Sequence, residues 1–147
     1  MTKRSSGLIM RVPDPFDGSA EARLTHMGLL DQTGHVKPRS MEVFTCIFAG
    51  LFFDDLCDFY DGRDKLVAIY RTFQELAEKD DHQHMLLLLS LQYDYLRKPL
   101  PDPVWWLSGH YEAVGCFMTG FLGLLGALMI QAGFLPPEAA KGGGARE

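Results

Sequence analysis

Basic residues are in short supply in this chain. Lys and Arg total 14 against 19 Asp and Glu in 147 residues, a formal net charge of −5 with His neutral. That balance excludes general affinity for nucleic acid, which needs clustered Lys and Arg to neutralise phosphates, so no nucleic-acid partner is expected. Cysteine is scarce as well. Cys46, Cys57 and Cys116 form an odd set with no C-x-x-C pair, which excludes the usual zinc and thiol-redox spacings. Cys46 and Cys57 fall in one expected helix, where eleven residues put them roughly 16 Å apart, too far for a disulfide; all three thiols are expected to be buried as small apolar groups.

Other signatures are missing too. There is no G-x-G-x-x-G after a strand, no nucleophile elbow, no HExxH and no Cys–His arrangement. No catalytic residue, cofactor or metal is therefore expected. The N-terminus has only a four-residue apolar run at 7–10, too short for the core of a secretory signal. Lys3, Arg4 and Arg11 without acids have a faint organelle-targeting character, which Asp14 and Asp17 cut short.

What is present points to an all-α protein of one domain's size. Hydrophobic residues make up 47% and charged residues 22%, enough apolar surface to form a core and too little charge for disorder. Residues 1–19 form an irregular lead-in punctuated by Pro13, Pro15 and Gly18. A helical domain of about four helices then fits 20–98. Its first helix covers 20–31, capped by Asp17 or Ser19. The second follows Ser40 and runs to about residue 60, and its segment 43–53 is apolar on all sides, so it is expected to be buried on all sides. Asp61-Gly62 marks a turn. Leu66, Ile69, Tyr70, Phe73, Leu76 and Ala77 recur at three- and four-residue spacing, the clearest amphipathic helix of the chain. A fourth helix, with Asp81 as cap, fits 82–97.

Pro99 and Pro101 make 99–102 a linker that no helix crosses. Asp102-Pro103 starts one long last helix over 103–135, followed by a tail at 136–147 with three consecutive glycines. No charged residue lies between Glu112 and Glu138, and this helix has the length and hydropathy of a membrane span. Gly115, Thr119, Gly123 and Ala127 recur every fourth residue as a small-residue groove of the kind by which membrane helices pair. Trp105, Trp106 and Tyr111 precede the apolar run where interfacial aromatics sit, and Gln131 is a polar side chain suited to a contact with a neighbouring helix inside a membrane.

Two weaker constellations complete the reading. Asp54, Asp58 and Asp61 share a helix face, with Asp55 and Asp64 nearby and His82 and His84 in another loop–helix junction, but their spacing fits no metal-ligand signature, and a solvated acidic helix end is expected. His110 and Glu112 beside the Trp pair suggest acid–base work or a quinone-like ligand at a membrane surface; with the two residues only two apart on a helix and no nucleophile identifiable, a hydrogen-bonded interfacial histidine is expected instead. The expected function is therefore a non-catalytic single-pass membrane protein, an accessory subunit of a larger membrane complex. Its partners would be other subunits, met through the last helix, and the lipid bilayer. By analogy of size and layout alone, an energy-converting or respiratory complex of the mitochondrial inner membrane is such a setting. The alternative is a soluble all-α interaction or assembly factor whose last helix is its core.

Overall fold

A computed structural model describes residues 19–138. Among these residues the fold is all-α, with six helices and a single isolated bridge between Leu30 and Val36. Residues 1–18 of the expected lead-in 1–19 and residues 139–147 of the expected tail lie outside the described residues.

α1 (Ala20–His26) starts where Ser19 accepts the Ala22 amide at 3.1 Å, a side-chain cap satisfying one of the open amides of the first turn. It stops short of residue 31, because the chain turns at Gly28 with φ +84°, a conformation glycine adopts without Cβ cost. α2 (Pro38–Phe59) begins three residues before the expected start, with Pro38 in its first turn and no side-chain cap. Proline fits there because its missing amide would be unpaired anyway. α3 (Arg63–Glu78) and α4 (His82–Leu96) follow the expected pattern, and the Asp81 carboxylate accepts the His84 amide at the start of α4.

The long last helix is two helices. α5 (Asp102–Leu107) ends at Ser108, and α6 (Tyr111–Gln131) starts afresh after His110. At about 32 Å, α6 alone is long and apolar enough to cross a membrane.

α6 is also the helix against which α2, α3, α4 and α5 pack. Its side chains Phe117, Phe121 and Leu125 have no exposed surface. Phe48 of α2 lies 5.6 Å from Phe117 and 5.8 Å from Phe121, and Phe73 of α3 lies edge-on to Phe121 at 5.5 Å. Tyr93 of α4 stacks on Phe48 and Phe52 at 6.0 and 5.7 Å. These tilted and offset pairs add to the area they bury, which at roughly 2 kcal/mol per large side chain is the main stabilising term. The order of contacts sets direction. Phe44 and Phe53 of α2 meet Phe117 and Phe134 in turn, so α2 and α6 run parallel. Phe73 meets Phe121 while Tyr70 closes on Gly126, so α3 runs antiparallel to α6.

One expectation is corrected here. α2 is not buried all round: Val43, Ile47 and Leu51 are 52%, 60% and 58% exposed. The helix lies at the edge of the bundle, so only the face carrying Thr45, Phe48, Ala49, Phe52 and Leu56 turns inward.

Candidate interaction surface

The orientation of α6 decides what the chain can present to a partner. Its large residues face the bundle, and its exposed line consists of Cys116, Thr119, Gly123 and Ala127. Three of the four expected groove residues thus share the outer face. The fourth, Gly115, is turned toward α4, where a Cβ would sit 3.4 Å from the His82 ring. Cys116 takes its place on the outer line, a position the four-residue repeat passes over. Around Gly123 a Cβ would meet nothing within 4 Å, whereas at Gly120 it would touch the Thr45 methyl at 3.5 Å and at Gly126 the Tyr70 hydroxyl at 2.7 Å. The glycines of α6 therefore do two different jobs. Gly126 lets α3 approach, while Gly123 leaves an open notch.

The expected interfacial aromatics are divided between two helices. Trp105 and Trp106 are half-buried on α5, and the Arg23 guanidinium lies 5.0 Å above the Trp106 ring as a cation–π contact. Tyr111 opens α6 and is 89% exposed. Gln131 is exposed on the last residue of α6.

His110 is held on both ring nitrogens. Nδ1 accepts the Ala113 amide at 3.1 Å, capping α6, so the proton sits on Nε2, which donates to the Gly34 carbonyl at 2.8 Å. A short distance away His35 Nδ1 lies 3.4 Å from Glu112 Oε1. Both contacts join the loop before α2 to the start of α6. The ring of His110 is thereby a structural tie between that loop and α6.

The acidic residues do not converge. Among the described residues no three His, Cys, Asp or Glu side chains come together as metal ligands. Asp55 pairs with Lys98 at 3.3 Å, and Asp81 holds His84 Nδ1 at 2.6 Å. Hydrogen bonds from the Thr33 hydroxyl and the His35 amide hold the Asp31 carboxyl below its usual range, fixing a turn. The expectation of buried thiols is overturned: Cys46, Cys57 and Cys116 are all free and exposed, because each sits on the outer side of an edge or outward-facing helix line. Partial burial, with Asp54 and Asp58 beside it, pushes the Cys57 thiol up.

Comparison with known protein families, curated proteins and solved structures finds no match for this chain.

Proposed function

We propose that this chain is a non-catalytic helical subunit of a larger assembly, docked through the outward line of α6 against a helix of a partner protein. The supporting observation is the open notch at Gly123, flanked by Thr119 and Ala127 on the outer face of the helix whose opposite face builds the core. Small side chains let helix backbones approach closely, which gains dispersion contact over the whole line. Gly123→Ile fills the notch without touching the core, so it should leave the far-UV circular dichroism unchanged while the protein that co-purifies with wild type is lost. Unchanged co-purification contradicts the proposal.

A second reading, a single-pass membrane subunit of an energy-converting complex such as those of the mitochondrial inner membrane, draws support from the length and apolar composition of α6. Against it weighs the inward packing: α6 leaving the bundle would uncover Phe48, Phe52 and Phe73, at roughly 2 kcal/mol each. The bundle with α6 as its central helix is the form we favour.

A further inference from the structure

The outer face of α2 carries a second surface, separate from α6 and from whatever partner α6 meets. Val43, Ile47 and Leu51 are all more than half exposed, and at successive steps of four, three and four residues Leu51 is preceded by Ile47 and followed by Asp54 and Asp58. This spacing, close to the helical repeat, makes a ridge nearly parallel to the axis and about 22 Å long from Val43 to Asp58. Beside it, a Cβ at Gly50 would meet nothing within 4 Å, so a second helix can come close.

The charges along this ridge are sorted. Its N-terminal end carries the exposed Arg39, with Lys37 just before the helix, and its C-terminal end carries Asp54 and Asp58. None of the four has an ion-pair partner among the described residues. Asp54 and Asp58 are like charges four apart on one helix, which repel each other. A cation brought between them relieves that repulsion.

Basic, then apolar, then acidic is a self-complementary order when the helix is reversed. We infer that the outer ridge of α2 binds a second copy of this chain, the two helices packing antiparallel about a two-fold axis at Ile47. With Ile47 opposite Ile47, Val43 meets Leu51 of the other copy. Arg39 then comes within one residue of being level with Asp54, and Lys37 with Asp58, near enough for these long side chains to reach the carboxylates, at both ends by symmetry. Such an isologous contact closes on itself and stops at the dimer. Antiparallel packing also sets the positive end of each helix dipole beside the negative end of the other. A parallel arrangement would put Asp54 and Asp58 against their own copies, so the charges choose the direction. The apolar ridge is short, which points to a weak, concentration-dependent dimer rather than an obligate one.

The test is analytical ultracentrifugation of the full chain from about 1 μM to about 100 μM, bracketing a micromolar Kd. Wild type should shift from monomer to dimer across that range. Ile47→Asp should remain monomeric throughout with its circular dichroism unchanged, since that side chain is 60% exposed. Arg39→Glu should weaken the dimer at least about tenfold, and Arg39→Glu combined with Asp54→Lys should restore it, because the pair is then reversed with its geometry kept. Wild type that stays monomeric at every concentration overturns the inference. So does a dimer insensitive to Ile47→Asp, or a double reversal no stronger than Arg39→Glu alone. Loss of the α6 partner on Gly123→Ile is a separate readout, so failure of one surface leaves the other standing.

Discussion

Tyr70 closes over Gly126: a Cβ built on that glycine would lie 2.7 Å from the phenol oxygen and 3.2 Å from two ring carbons. The contact joins α3 to the C-terminal half of α6, one turn beyond Gly123 and on the flank of its exposed line. It also buries the Tyr70 hydroxyl, whose ionisation burial pushes up.

Two glycines of one helix should therefore respond in opposite ways to the same substitution. Gly126→Ala forces the Tyr70 ring to shift and should destabilise the fold by about 1–3 kcal/mol, the usual range for overpacking. Gly123→Ala, in open space on the same helix, should stabilise it by up to about 1 kcal/mol, the helix-propensity difference. Urea unfolding of both variants measures this; destabilisation of equal size at both sites contradicts the orientation of α6.

His110→Ala removes the cap of α6 and the bond to the Gly34 carbonyl together. A lost cap costs about 1 kcal/mol and an unpaired carbonyl about as much again, so a loss of about 2 kcal/mol is expected in thermal or urea unfolding. Asparagine at 110 can cap but cannot span to Gly34, and should recover only part of it.

How much of this was legible beforehand differs from element to element. Ser19 and Asp81 cap the helices that their short polar side chains suit, and the Asp61-Gly62 turn falls where its residues place it. The break between α5 and α6 was not legible. Ser108-Gly109-His110 contains no proline, and what ends α5 there is tertiary: Gly109 lies against Ala20, and His110 reaches a carbonyl 76 residues back. Likewise, the composition of 43–53 shows that the segment is apolar but not that it forms an edge, since Val43 and Phe48 look alike until neighbours exist on one side only. The repeat at 115, 119, 123 and 127 was visible as small residues; that Gly115 serves α4 while Cys116 faces out depends on where His82 lands.

The cysteines give a chemical check on the face of α2. The Cys57 thiol is pushed up by burial and by Asp54 and Asp58, so at a given pH less of it is thiolate and it should alkylate more slowly than an ordinary exposed thiol. Asp54→Asn with Asp58→Asn removes the carboxylate contribution, so more of the thiol is thiolate and alkylation of Cys57 by iodoacetamide near pH 8 should speed up. Mass-spectrometric rates at Cys57 that do not change contradict that placement.

The central claim is that α6 forms the interior of one bundle with α2, α3 and α4. The most direct measurement is to express the full chain beside a truncation ending at Asp102, and to follow carbonate extraction and circular dichroism of both. The full chain should be released without detergent and melt cooperatively, while the truncation, left with Phe48, Phe52 and Phe73 uncovered, should fail to fold. A full chain that stays with membranes until detergent is added, beside a truncation that is soluble and helical, would contradict the claim and make α6 an anchor.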